Sequence, residues 1–311
     1  MERQPIKKDF FMYLGIFLVL LLVSIFLPLQ VIMVFLLPIP VVLLVKNYPI
    51  PHFMIAMLAL LAVSFLVQPA LSIPLTMLAL LSGGTIGWAL KKERHPYEIW
   101  ANGTVGFVLG FLAIYLFIEL VLNISLLDTF MDSVDESMEM TENLLGALGA
   151  EEQNFELIQQ QLNNLIQLFP VALVLLSMIY AFITEWFTFK WLNRGNRIEN
   201  QYTFPMFRHF RFPKAIVWAY FILLLFTLFV GNGMGPLVGA AILNLYHLLG
   251  ILIALQGLSL IFFYTHVKGQ SRALPVIAII TTILFPMMGL YLLRILGIID
   301  LGFALRDRMQ K

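Results

Sequence analysis

The chain contains no cysteine. Disulfides, thiolate metal sites and cysteine nucleophiles are therefore excluded. Charge is scarce as well: 12% of the 311 residues are charged, about half the usual share of a soluble domain. Between Arg94 and Lys190 there is no lysine or arginine, although Glu98, Glu119 and nine further acids between Asp128 and Glu156 fall in that stretch. No Walker A, HExxH, GxSxG, dinucleotide or calcium-loop pattern occurs, and the five histidines lie on different segments without metal-ligand spacing. Without a nucleophile or a metal set, the expectation is a protein that is not an enzyme, with no metal and no cofactor. A nucleic-acid partner is not expected either, because the basic residues sit in short connections and not on one extended face.

Apolar residues are abundant. They make up 60% of the chain, and the mean hydropathy is +0.91. Spans of about 20 apolar residues cross a bilayer as helices. Such stretches occur at 10–27, 30–46, 52–68, 70–90, 103–124, 166–192, 214–231, 237–267 and 273–297, with many joins marked by Pro28, Pro49, Pro51, Pro69, Pro96, Gly231–Pro236 and Gly269. The fold class is all-α: a polytopic transmembrane helix bundle of about nine spans, or eight if one short early segment does not cross. The start, a basic Met1–Asp9 followed by Phe10–Leu27, lacks a small-residue cleavage site and reads as an uncleaved first span.

Basic residues set the sidedness. Placing the N-terminus in the cytoplasm puts all lysines and arginines except Arg294, Arg306, Arg308 and Lys311 in inner connections, and none in the outer connections 28–30, 68–70, 125–165 and 232–236. The expected location is a cell membrane, with 125–165 extracytoplasmic. Nine spans leave the last four basic residues on the wrong side. Two repairs exist: a re-entrant pair of half-helices in 273–299 hinged at Pro286, or one early segment that does not cross.

This pattern divides the chain into a membrane bundle at 1–124, an acidic insertion at 125–165 and a second bundle at 166–311. In the insertion Leu127, Phe130, Met131, Val134, Met138 and Leu145 recur at near-helical spacing, and Phe155, Ile158, Leu162 and Ile166 repeat it. Two amphipathic helices joined near Gly149 are predicted.

Polar groups at membrane depth are the candidates for function. Asn244 and His247 share a helical face, Gln256 lies on the opposite side of the same span, and Glu119 could act as a partner or proton site; these four are the candidate ligand-binding residues. Glu119, Glu185 and Arg294 could instead snorkel to the interfaces. Gly83/Gly87, Gly106/Gly110 and Gly231/Gly235/Gly239 have small-residue spacing and are candidate helix-packing positions. The connection 190–214 alternates aromatic and basic residues, which suits the headgroup level and could dock a cytoplasmic protein partner.

Four stretches carry a family resemblance: Leu37-Pro38-Ile-Pro40 through Lys46; Ser82-Gly-Gly-Thr-Ile-Gly87-Trp; Asn244-Leu with Leu255-Gln-Gly257-Leu-Ser; and Leu296-Gly-Ile-Ile-Asp300 with Arg306. Across most of its length the chain resembles the YybS-like multispan membrane proteins of Bacillus-type bacteria. The N-terminal half is similar, more distantly, to substrate-binding components of energy-coupling factor transporters. The resemblance implies a helical membrane bundle and no catalytic residue. The chain departs from the transporter components in its extra spans, its acidic insertion and a first span in which only Gly15 and Ser24 are small. The expected function is small-molecule transport or substrate capture by an integral membrane protein in contact with the lipid bilayer. The alternative is a non-transporting membrane scaffold or regulator acting through the basic loop and the outer hairpin.

Overall fold

The computed structural model describes residues 8–147, 166–194, 202–230, 235–271 and 273–309, with only the backbone described for 142–147. The regular structure in these residues is helical: α1 (Lys8–Phe26), α2 (Gln30–Leu36), α3 (Pro38–Asn47), α4 (Ile50–Val67), α5 (Pro69–Lys91), α6 (Pro96–Leu120), α7 (Leu126–Ala147), α8 (Phe169–Leu192), α9 (Ala215–Thr227), α10 (Pro236–Val267), α11 (Ala273–Leu284), α12 (Pro286–Phe303) and α13 (Leu305–Met309), with a 3-10 turn at Phe207–His209. Eight stretches are long and apolar enough to cross a membrane: α1, α2 with α3, α4, α5, α6, α8, α10 and α12. Proline opens many of them. The first or second position of α3, α4, α5, α6, α10 and α12 holds one, where its missing N–H would have had no helical partner anyway. Large apolar side chains such as Leu66, Trp218, Leu237 and Met287 stand exposed, as helices facing lipid require. Of the predicted outer hairpin, α7 is the first helix; the second falls outside the described residues.

The chain forms two compact units, one of Met1–Asn164 with Ala172–Phe204 and one of Leu165–Val171 with Pro205–Lys311. In the first unit α5 is central. Gly83 and Gly87 let α3 run parallel to it: a Cβ on Gly83 would stand 2.7 Å from the Pro38 carbonyl oxygen, and one on Gly87 would stand 2.7 Å from Val45 Cβ. Gly106 and Gly110 bring in α6 antiparallel, within 2.8 Å of Ser82 Cα and 3.0 Å of Leu78 Cα by the same measure. Ala181 and Phe189 of α8 complete a core with Val42, Ile86, Ala89, Leu90 and Phe107, and the Trp100 indole donates to the Met178 carbonyl at 2.7 Å. The sequence grouping placed this helix with the later spans; its packing is with the earlier ones.

In the second unit α10 and α12 cross at Gly257 and Gly297. A Cβ on either would overlap backbone of the other helix, at the Leu293 and Ile253 carbonyls. Such contacts depend on having no side chain there. Gly250 meets Arg294, Gln256 meets Asp300 and Ser259 meets Arg306, so the two helices run parallel. The stretch 273–297, expected as one crossing helix, is broken at Phe285–Pro286. α11 and α12 fold back on each other there, with Gly289 against the backbone and side chain of Thr282. The proline removes an N–H, and Phe285 leaves helical geometry at φ −129°, ψ 72°. A hairpin hinged at Pro286, the hinge that the re-entrant alternative places there, is therefore observed. It brings Arg306 to the end of the unit where α10 also terminates. The segment expected at 214–231 holds only the shorter α9.

Candidate functional site

The second unit holds two polar groupings. The first surrounds Arg294 in the middle of α12. Its guanidinium carbon lies 5.7 Å from the ring centre of Tyr220 and 5.9 Å from that of Tyr246, and Nη1 donates to the Tyr220 hydroxyl at 3.3 Å. The two tyrosine rings stack at 5.1 Å, with hydroxyls 3.1 Å apart. Gly250 makes room for the guanidinium: a Cβ there would stand 2.8 Å from its carbon. His247 lies next to Tyr246 and within the field of Arg294. Among the described residues no carboxylate lies within ion-pair distance of Arg294, and its buried Nε has no hydrogen-bond partner.

Asn244 lies one turn along α10. Its amide donates at 2.8 Å to the carbonyls of Gln167 and Ala240, while its buried Oδ1 has no partner. The structure thus places Asn244 and His247 on one stretch of α10 and adds Arg294, Tyr220 and Tyr246 to them. The arrangement offers fixed donors and aromatic faces to a small anion or polar solute. It contains no nucleophile paired with a base.

The second grouping is densely bonded, although Asp300 Oδ1 is buried without a partner. Gln256 is fully buried, accepts from the Phe212 N–H at 2.9 Å and donates to Asp300 at 2.5 Å. Asp300 Oδ2 also takes Arg306 Nε at 2.9 Å and Nη2 at 2.8 Å. Arg306 in turn reaches the carbonyls of Arg208 and Phe210 at 2.9 and 3.0 Å, and Ser259 Oγ at 3.2 Å. Ser259 donates to the Phe207 carbonyl at 2.7 Å. Beside this knot Arg211 donates to Asp307 at 3.1 and 3.4 Å and holds its carboxyl below the usual carboxylate range. Gln256 therefore fastens the 207–212 segment to the C-terminal turn.

Glu119, the fourth candidate, belongs to the first unit. It takes a hydrogen bond from the Tyr115 hydroxyl, and its Oε2 is buried without a partner. Glu185, also in the first unit, is 0% exposed, and neither carboxyl oxygen has a partner; it does not snorkel. An apolar groove of about 330 Å³ lies between α1, α3 and α8, with Lys190 and Arg194 at its rim. Of the third glycine ladder, Gly231 lies outside the described residues, Gly235 faces open space and Gly239 stands 3.1 Å from Val230 by the Cβ measure. The Asp300–Arg306 pair had one sequence signal, an acid and a base six residues apart at the end of an apolar run. Among the described residues no three metal-ligating side chains converge.

Two comparisons bear on identity. The chain is 28% identical over 306 residues to "Uncharacterized protein YybS" of Bacillus subtilis (strain 168), covering 96% of both proteins. No solved structure matches it significantly. A family model described as "Predicted membrane protein (DUF2232)" matches residues 15–301. A match of that extent, on a chain whose described residues include eight apolar stretches of spanning length, means that the protein belongs to this family of integral membrane proteins.

Proposed function

We propose that this integral membrane protein captures a small anionic solute in its second unit, as a transport or substrate-capture component of a bacterial cell membrane. Its N-terminus and basic connections face the cytoplasm, and 125–165 faces outward. Binding, and not covalent chemistry, is its mechanism. The observation that carries this reading is Arg294: a guanidinium in the middle of an apolar helix, held over two tyrosine rings, with no carboxylate partner among the described residues and a buried Nε unbonded. Charged groups at such a depth face protein or a water-filled cavity and mark solute pathways. Asn244 Oδ1 and His247 supply further contacts on α10. The scaffold alternative draws less support, because its inner docking loop is tied down at Phe207, Arg208 and Phe210 by Ser259 and Arg306.

The test is native mass spectrometry of the full chain released from mild detergent, compared with Arg294→Gln. A stoichiometric anionic adduct on the parent protein that the variant lacks, with unchanged thermal stability, supports capture. Adducts common to both proteins, or lipid alone, refute it.

A further inference from the structure

We infer that Glu185 is an exchangeable monovalent-cation site, holding a proton or an alkali-metal ion inside the first unit. The site is distinct from the Arg294 grouping and does not depend on it.

Glu185 lies one helical turn after Ala181 and one before Phe189, both members of the buried cluster that joins α8 to α3, α5 and α6. Its side chain is therefore on the stripe of α8 that faces protein. It is 0% exposed, and both carboxyl oxygens lack a hydrogen-bond partner. Several charged groups on the surrounding elements make contacts elsewhere, whereas Glu119 of α6 keeps an unbonded Oε2. Lys46 lies 4.3 Å over the Tyr202 ring, and Lys91 donates to the Val45 and Tyr48 carbonyls. Lys190 lies 5.1 Å over Trp186, and Glu98 pairs with Arg94. Tyr180 and Tyr202 sit at the rim of the cluster. An ionised carboxylate with no counter-charge is costly in such surroundings, so a cation must accompany this group.

The adjoining α2–α3 break carries further oxygen groups. Pro38 and Pro40 have no N–H, so the carbonyls of Val34 and Leu36 lose the donors that an uninterrupted helix would give them. Val34 packs against the cluster containing Ala181 and Phe189. Thr184, adjacent to Glu185, donates to the Phe35 carbonyl at 2.9 Å, which pins α8 to the α2–α3 break. Thr188, one turn on, donates to Thr184 O at 2.8 Å. Both hydroxyl protons are thus used, and oxygen lone pairs remain. An unpartnered buried carboxyl on a helix pinned to an interrupted one is a setting for one small hard cation. It contains a single acid, which suits a monovalent ion or a proton better than a divalent metal.

The experiment uses the purified full chain in detergent and dicyclohexylcarbodiimide, which adds covalently to protonated carboxyls in apolar surroundings. Peptide mass spectrometry reads the adduct at Glu185 over a pH series in choline chloride, and again with sodium or potassium chloride replacing choline. An adduct that declines as pH rises, with no effect of the metal salts, identifies a proton site. Suppression by sodium or potassium at fixed pH identifies a metal-ion site. Absence of an adduct at every pH, or an adduct indifferent to pH and cation, overturns the inference. Thermal unfolding in the same buffers gives a second readout: the parent protein shifts with pH or cation, and Glu185→Gln loses that shift. If both proteins respond alike, Glu185 is not the site.

Discussion

Replacing Arg306 with alanine should be among the most damaging single changes in the second unit. Arg306 is 5% exposed and Asp300 is fully buried. Two guanidinium nitrogens contact Asp300 Oδ2 at 2.8 and 2.9 Å, while the rest of the fork holds the Arg208 and Phe210 carbonyls and Ser259. Truncation leaves the Asp300 Oδ2 carboxylate oxygen with the Gln256 amide and takes the guanidinium donor away from the Arg208 and Phe210 carbonyls. Removing one partner of a buried pair costs about 3–5 kcal/mol. At 1.36 kcal/mol per decade, that is roughly 200- to 5,000-fold in the unfolding equilibrium. Removing both charges together, as in Asp300→Leu with Arg306→Met, should recover most of the loss, because no ion is then left unpaired. Reversible unfolding in mixed micelles, followed by tryptophan fluorescence, measures all three proteins. The reasoning fails if Arg306→Ala unfolds within about 0.5 kcal/mol of the parent, the range of ordinary surface substitutions, or if the double variant is worse than either single one.

Other outcomes follow from the same structure. Gly257→Val or Gly297→Val forces α10 and α12 apart, and each should lower the melting temperature far more than Gly235→Val, whose Cβ would meet open space. Ala304 ends α12 in the left-handed region at φ 50°, ψ 48°; Ala304→Gly should relieve about 1 kcal/mol of strain, less what glycine costs in the unfolded chain, and a loss of stability in the same titration would count against it. Asp307 is held below its ordinary value by Arg211, so its stabilising contribution is complete at neutral pH, persists to about pH 4 and disappears as pH falls through the lowered value. Asp307→Asn should flatten that acid limb in a stability–pH profile, and an unchanged limb would exclude Asp307 as its source. The chain has no cysteine, so Ser271→Cys and Met309→Cys can report sidedness cleanly: an impermeant maleimide should label both from one face of sealed vesicles, and opposite faces would refute the α11–α12 hairpin.

Much of the architecture was legible because its signals are local. Prolines mark helix starts, and the glycine pairs at 83/87 and 106/110 announce close approaches within neighbouring helices. The unpaired character of Arg294 was not legible, since Tyr220 and Tyr246 reach it from helices far away in the sequence. Glu185 illustrates a second limit. Its helix is apolar all round, so periodicity cannot distinguish the lipid-facing side from the protein-facing side, and an acid near a span end could equally snorkel. The Asp300–Arg306 pair depends on the left-handed turn at Ala304, a conformation that alanine does not advertise. Gln256 reads as a solute contact because an amide at depth is conspicuous; its bonds to the Phe212 N–H and Asp300 join residues 44 apart and leave no local signal.

The break at Phe285–Pro286 also has a consequence for biosynthesis. A segment that returns to its own side needs nothing hydrophilic carried across the bilayer after Lys268. A hairpin of this kind can enter as one apolar loop, which would spare Arg306, Asp307 and Arg308 a passage through the hydrocarbon barrier. The Arg306 clasp on the 207–212 segment can therefore close only after the last apolar helix has been inserted, which makes it a late checkpoint on a completed chain.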